Sequence, residues 1–367
     1  MSTRKDKFTK KDSFYMNLAF NLARDRVGLT GDNPSVGCVI VKNDEVISVG
    51  QTGLTGRPHA EFNAIKSCKK NLKESTMYVS LEPCIHYGKT PPCSNLIIKS
   101  KIKKVIFSVI DVDKRNNGKS LKLFKSKNVI VKSGLLKKKG NIIYKPYVYN
   151  KTKNLPFVTG KLAISNDNFI YSKKKKRITN KYSDKISHFL RYKNDAILIS
   201  SKTLNIDNPS LNCRLNGLHV FSPNIIILDR QLSIKKNSKI YSTSTNNNKF
   251  IFYNKGNKKK IKLLKKKGIK LIKLPLNKNK FFDLRLVLKN IFLIGCRNLL
   301  VEGGKDLTNS FLKNKLFNKF YLFKSSNKLG TKGKLNVSTQ LHLLSFKYKN
   351  RFNVNSFTGN DKIKVYS

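Results

Sequence analysis

Apolar and polar positions alternate along the chain with two periods, and the changes of period mark the elements. From Ser13 to about Val27, Phe14, Leu18, Leu22 and Val27 recur at helical spacing with alanines between, after an Asp12-Ser13 cap candidate. Asn-Pro-Ser-Val-Gly then stops the helix, and the β-branched run Val36 to Val41 predicts a strand. Asp44 and Glu45 sit where a hairpin would turn into a second strand, Val46 to Val49. A helix is expected from about His59 to Cys68, with Pro58 at or near its first position. Met77 to Leu81 reads as a short strand ending at Glu82-Pro83-Cys84. In Thr90-Pro91-Pro92-Cys93 the threonine is a cap candidate and the prolines suit a first turn, so Cys93 falls near a helix start. Lys104 to Ile110 predicts a strand, and Leu121 to Val131 a helix followed by a strand.

From Lys137 the chain becomes lysine-rich, aromatic and turn-rich, and the boundary is set near Asn150, giving domains 1–150 and 151–367. Beyond it, strands are expected at Phe157 to Ile164, Ala196 to Ser200, Ile225 to Leu228, Phe250 to Phe252 and Leu299 to Val301. Helical periodicity runs from Ser183 to Tyr192 and from Phe282 to Phe292. The lysine run 173–176 reads as a solvated loop, and Ser233 to Lys280 as containing exposed, variable loops. Alternating strands and helices in both halves predict two α/β units.

Composition changes the picture in one respect. The 367 residues carry 76 Lys and Arg against 20 Asp and Glu, yet 39% are hydrophobic, so the chain can bury cores and is not compositionally disordered. The excess is Lys rather than Arg, is spread over the whole length and accompanies abundant Asn and Ile. That is a broad compositional bias, whereas a nucleic-acid face is a localised stripe with Arg and aromatics interleaved. Nucleic acid is therefore not expected as the main partner, although the basic field would steer an anionic substrate or cofactor. The six cysteines form no regular framework, and the start of the chain lacks an apolar targeting segment. Reduced thiols, a cytoplasmic location and no membrane partner are the expectations.

The candidate chemistry lies between Pro58 and Cys93. His59, Cys84 and Cys93 offer one imidazole and two thiols, the donor set that a catalytic zinc takes while keeping a fourth position for water. Glu61 is a carboxylate outside that set. In mid-helix, residues two apart point to different faces, but at a first turn His59 and Glu61 can both reach round the open end. A thiolate at Cys93 would be favoured by a helix N-terminus. A lone His with scattered Cys is the plain structural alternative, and the gap of nine to Cys93 exceeds the Pro-Cys-x-x-Cys spacing of zinc deaminases. The joint occurrence of His-Ala-Glu, a strand, Glu-Pro-Cys and Thr-Pro-Pro-Cys favours the metal. Cys38 and Cys68 read as packing residues, His86 as a residue of the substrate pocket or its surroundings, and Glu82 as a group near the substrate or at the strand end. In the second half, Val-Glu-Gly-Gly before a helix would allow close approach to a phosphate, but no complete Gly-x-Gly-x-x-Gly is present.

Asn-Pro-Ser-Val-Gly-Cys-Val-Ile-Val, Pro-His-Ala-Glu and Leu-Glu-Pro-Cys-Ile-His-Tyr-Gly-Lys-Thr-Pro-Pro-Cys resemble the deaminase domain of the bifunctional riboflavin-biosynthesis deaminase/reductase family, over roughly Phe14 to Asp113. The long Cys-to-Cys insert separates that family from ordinary cytidine deaminases. Lys-Leu-Ala-Ile-Ser-Asn-Asp, Phe-Leu-Arg at Arg191, Thr-Leu-Asn-Ile-Asp-Asn-Pro-Ser-Leu-Asn-Cys-Arg and Val-Glu-Gly-Gly resemble its reductase half. The resemblance implies a cytidine-deaminase-like α/β/α sandwich followed by a dihydrofolate-reductase-like α/β domain. It implies Zn2+ on His59, Cys84 and Cys93, proton transfer by Glu61, and Asn33 hydrogen-bonded to the ring of a diaminohydroxy-pyrimidine that bears a phosphoribosylamino group. It further implies NADPH at Ala163, Thr203, Asp207 and Gly304, and substrate at Arg191, Leu211, Arg214 and Glu302, the arginines supplying forks for its phosphate.

The hydride would go to the sugar carbon on nitrogen, turning ribosyl into ribityl. Three positions depart from the family: Asn168 stands for a Gly, Arg177 for a Trp, and Arg230 where Ser is usual. An active deaminase joined to an impaired reductase, and a basic deaminase of nucleic-acid bases, are the alternatives. A homo-oligomer is left open.

Overall fold

Thr9 and Asp12 close a capping box, Thr9 Oγ1 accepting from Asp12 N at 3.0 Å and Asp12 Oδ2 accepting from Thr9 N at 2.8 Å. The first helix therefore starts a turn before the expected Asp12-Ser13 cap, as α1, Lys10–Arg26. The structure, a computed structural model, describes residues 8–172, 177–242, 247–354 and 357–367, so the lysine run 173–176 lies outside the described residues. The chain divides into two units, Met1–Asn154 and Leu155–Ser367.

In the first unit α1 is followed by β1 (Gly37–Lys42), β2 (Glu45–Gln51), α2 (Ala60–Ser67), β3 (Thr76–Leu81), α3 (Cys93–Lys99), β4 (Lys104–Val109), α4 (Lys119–Ser126), β5 (Ile130–Ser133) and α5 (Lys137–Lys153). The strands form one sheet in the order β2-β1-β3-β4-β5, antiparallel on the hairpin side and parallel from β3 to β5. Its two faces follow the period of two. Cys38, Ile40, Met77, Val79, Val105 and Phe107 pack with α2, α3 and α4, while Val39, Val41, Tyr78 and Ile106 pack under Met16, Ala19 and Phe20 of α1. The expected α/β/α sandwich is this arrangement. One expectation fails: the segment from Lys137, taken as turn-rich, is the helix α5, with Gly140 and Pro146 inside it.

The second unit contains β6 (Phe157–Ile164), β7 (Phe169–Tyr171), α6 (Lys181–Tyr192), β8 (Ala196–Ser200), α7 (Ser201–Asp207), β9 (Asn224–Leu228), β10 (Lys249–Tyr253), α8 (Lys258–Lys266) and β11 (Ile269–Lys273). It continues with α9 (Leu284–Leu293), β12 (Asn298–Val301), α10 (Lys305–Lys313), β13 (Lys319–Lys324), β14 (Lys334–Asn336), α11 (Ser338–Lys347), β15 (Arg351–Asn353) and β16 (Lys362–Tyr366). A nine-stranded sheet runs β11-β10-β9-β8-β12-β6-β13-β16-β15, parallel up to β13, and β7 pairs with β14 apart from it. Along β8, Ala196 and Leu198 face the core under α9 and α10, while Ile197 and Ile199 face the core shared with α7 and α8. Continuous apolar runs are what a parallel strand covered on both faces requires. The region Ser233 to Lys280, expected to hold loops around one strand, also carries α8 and β11.

Candidate active sites

In the first unit, β2 and α2 meet with almost no space between backbones. A Cβ on Gly50 would lie 2.2 Å from Ala60 O. Ser48 Oγ donates to Ala64 O at 2.6 Å and Asn63 Nδ2 to Gln51 O at 2.8 Å, so the helix is tied to the strand along its length. This fixes the first turn of α2, where His59 is the N-cap and Glu61 is buried. The other two donors come from the loop after β3 and the start of α3. Pro92, not Thr90, is the N-cap of α3, because the Thr90 hydroxyl instead accepts from the Arg57 guanidinium.

His59 Nδ1 lies 3.6 Å from Cys84 Sγ and 3.4 Å from Cys93 Sγ, and the three donor atoms all lie within 4.8 Å of one another. Zinc bonds of about 2.3 Å to sulfur and about 2.0 Å to nitrogen, at tetrahedral angles, would put such donors about 3.5 to 3.8 Å apart. The residues present fit the ion. The Cys93 thiol beside Cys84 holds it down to about 4, with His59 and the Cys93 N–H adding, and the Cys84 thiolate, with burial, pushes Cys93 up so that Cys93 keeps its proton. A divalent cation displaces such a proton. Burial, then the Cys84 charge, raises Glu61 to about 7, against the pull of His59.

A cavity of about 100 Å³ opens on these groups. Asn33 lines it, its amide nitrogen anchored on Gly56 O at 2.9 Å, and His86 lines it with Nδ1 buried and without a partner. Glu82 does both things expected of it: it lines the cavity, and its two oxygens accept from the backbone N–H groups of Asp111 at 3.0 Å, Gly118 at 2.8 Å and Ser120 at 3.1 Å. Asn116 accepts from Ile85 N at 3.0 Å and so fixes the loop that carries Cys84. Sequence reasoning missed Asn116 and the cavity's Asp113, with Arg115 at 2.6 Å and Lys151 at 3.4 Å from its carboxylate. Their only signal was a polar Asp-Lys-Arg-Asn-Asn-Gly turn after a buried strand.

In the second unit, a cleft of about 210 Å³ lies at the carboxyl ends of β8 and β12. Ala163, Thr203, Asp207, Gly304, Arg191, Leu211 and Glu302 all line it, from five separate segments. Arg214 does not; its guanidinium donates to Asn212 Oδ1 at 2.9 Å. Arg191 is also differently engaged from the expected phosphate fork. Its Nε and Nη2 donate to the Glu302 carboxylate at 2.8 and 2.9 Å, and Nη1 to Asn212 O at 3.1 Å. Burial would raise Glu302, but Arg191 brings it down to about 2. Lys161, missed in the sequence, joins this wall, its ammonium pushed down by burial and held up by Glu302. At Gly304 a Cβ would come within 3.2 Å of Thr203 Oγ1, so the absence of side chains keeps the mouth of α10 open to a ligand's phosphates. Asn168 sits at φ 67, a left-handed conformation that Asn tolerates. Arg177 pairs with Asp184 at 3.1 Å.

Fold and sites define a two-unit enzyme, a zinc-binding deaminase module followed by a reductase module. The cytidine and deoxycytidylate deaminase zinc-binding region matches residues 9–109, and the RibD C-terminal domain matches residues 156–354. Riboflavin biosynthesis protein RibD of Aquifex aeolicus is 33% identical over 85% of this chain and 86% of its own length, and that of Buchnera aphidicola 33% identical over 88% and 89%. The crystal structure of a diaminohydroxyphosphoribosylaminopyrimidine deaminase/5-amino-6-(5-phosphoribosylamino)uracil reductase from Thermotoga maritima superposes with a TM-score of 0.82 at 28% identity, over 97% of this chain and 98% of that one. The chain belongs to the RibD family of riboflavin-biosynthesis proteins. Its fold is a cytidine-deaminase-like domain followed by the dihydrofolate-reductase-like RibD domain. Among the described residues no helix is long and apolar enough to cross a membrane.

Proposed function

We propose that the chain performs both steps: hydrolytic deamination of a diaminohydroxy-phosphoribosylamino-pyrimidine, then NADPH-dependent reduction of its ribosyl group to ribityl. The observation that carries this reading is the triangle of His59, Cys84 and Cys93 with Glu61 buried in the same helical turn. When bound, zinc lowers the pKa of a water toward neutrality, and NADPH supplies a hydride. Asn33 holds the pyrimidine edge-on in the cavity. Glu61 would accept one proton of the water and pass it to the ring nitrogen, then accept the second from the hydroxyl now on the ring carbon and pass it to the amine as the C–N bond breaks, so that one water enters and one ammonia departs. His86 bounds the pocket beside Cys84.

In the second unit, Ala163, Thr203, Asp207 and Gly304 hold NADPH, and Leu211, Glu302 and Arg191 hold the substrate, with Arg191 acting chiefly by fixing the Glu302 carboxylate. Arg214 would have to turn from Asn212 to meet the substrate phosphate. With NADPH held there, hydride would pass to the sugar carbon bonded to nitrogen, the bond from that carbon to the ring oxygen would break, and the oxygen would take a proton from solvent water to become a hydroxyl, opening ribose to ribityl. The fit of Asn168 to its left-handed turn favours a working reductase over an impaired one. Six unpaired cysteines, two of them metal donors, suit the reducing cytoplasm as the compartment.

Glu61→Gln tests the deaminase assignment. Zinc content should remain that of the unsubstituted protein while ammonia release falls by roughly 100- to 10,000-fold, the usual worth of a general acid-base. Retained ammonia release would contradict the role given to Glu61.

A further inference from the structure

Between α7 and β9 the chain passes through Leu211 to Arg214 without helix or strand, so the backbone groups there need partners from elsewhere. Side chains supply three in succession. Arg191 Nη1 donates to Asn212 O at 3.1 Å, Cys213 N donates to Ser222 Oγ at 3.0 Å, and Arg214 N donates to His188 Nδ1 at 3.3 Å. His188 and Arg191 stand three apart on one face of α6, so a single helical turn holds both ends of Asn212-Cys213-Arg214.

His188 is buried, and the same Nδ1 lies 3.1 Å from Asn212 O. One ring nitrogen cannot serve both neighbours, since it needs a lone pair for Arg214 N and a proton for Asn212 O. Asn212 O already accepts from Arg191, whereas a proton on Nδ1 would strand the Arg214 N–H, whose acceptor among the described residues is this nitrogen. Burial and the guanidinium groups of Arg191 and Arg214 keep the ring neutral, so the lone pair is available. The Arg214 backbone is therefore held while its guanidinium rests on Asn212 Oδ1 at 2.9 Å, just outside the cleft that Arg191 and Leu211 line. Exchanging that amide oxygen for a phosphate oxygen requires a turn of the side chain and no movement of the loop.

We infer that His188 is a positioning residue for the substrate's phosphate: through Nδ1 it holds the backbone of Arg214 where the guanidinium can reach that phosphate. This rests on the second unit being a reductase of a phosphorylated substrate that Arg214 binds. Initial rates of NADPH oxidation by the zinc-loaded full-length protein test it, with the deaminated phosphoribosylamino-pyrimidine and the same compound lacking its phosphate as substrates. His188→Leu removes the acceptor, His188→Asn returns an amide to the place of Nδ1, and His188→Gln puts one where Nε2 stood. In the Leu and Gln variants KM for the phosphorylated compound should rise roughly 10-fold, with kcat held within about two-fold and KM for the phosphate-free compound unchanged. The Asn variant should recover most of the loss. An unaltered melting midpoint reports that each variant folds, and the contrast of Asn with Gln decides the matter if the Leu variant does not. KM values that stay unchanged, that rise equally for both compounds, or that leave Asn as impaired as Gln overturn the inference and leave the reductase reading standing. An unsubstituted protein that oxidises no NADPH with either compound overturns it together with that reading.

Discussion

Buried titratable side chains in this protein are set by their immediate neighbours. Glu61 and Glu82 are both buried carboxylates of the first unit that line the cavity, but Glu82 has three backbone donors and Glu61 faces the metal donors. His188 shows the same dependence in the second unit. Burial, with Arg191 and Arg214 beside it, pushes its imidazole down to about 4. The unfolded chain keeps an imidazole near 6.5. Between those values the unfolded state takes up a proton that the folded state refuses, so stability falls as pH drops from about 6.5 toward 4. Asp195, raised to about 6 by burial, contributes in the opposite sense, since lowering the pH relieves its buried charge. The His188 share is isolated by His188→Asn. Its stability relative to the unsubstituted protein should improve by up to about 3 kcal/mol between pH 7 and pH 4, read as denaturant midpoints at each pH. A constant difference across the range would contradict a neutral buried His188.

At the scale of elements, close approach of backbones is what aims the catalytic groups. Gly50→Ala would place a methyl 2.2 Å from Ala60 O and 2.5 Å from Ala64 N, so α2 must move off β2. Overpacking of this kind costs about 1 to 3 kcal/mol, and displacement of His59 from its partners should weaken zinc at least about 10-fold. Competition with a chromophoric chelator measures the affinity, and unchanged affinity would mean that α2 is not held by this contact. The same geometry explains what the sequence hid. In α5, Gly140 is present because a Cβ would meet Val109 Cγ2 at 2.4 Å, and together with Pro146 and the lysines it imitates a loop. In α8, Leu264 is buried among exposed lysines that mask the amphipathic period. Strands such as β6 and β8 were legible because apolar residues covered on both faces leave few other readings.

For the whole molecule, the two candidate sites were legible to different degrees. The metal donors lie in two short motifs whose helix starts can be read locally, so His59, Glu61, Cys84 and Cys93 could be grouped from spacing and chemistry. In the second unit, Lys161, Arg191 and Glu302 come from β6, α6 and the end of β12, and only the fold brings them to one wall. Family resemblance supplied the grouping that spacing could not, and it left out Lys161 and the pairing of Arg191 with Glu302.

The central claim, that one chain deaminates and then reduces, is tested most directly by following ammonia and NADPH in one reaction. Zinc-loaded protein given the diamino phosphoribosyl substrate and NADPH should release one ammonia and oxidise one NADPH per substrate, ammonia first. Removing zinc with a chelator should stop the ammonia while leaving oxidation of NADPH by the already deaminated compound. Ammonia without loss of NADPH would contradict the second reaction, and the appearance of neither would contradict the account as a whole.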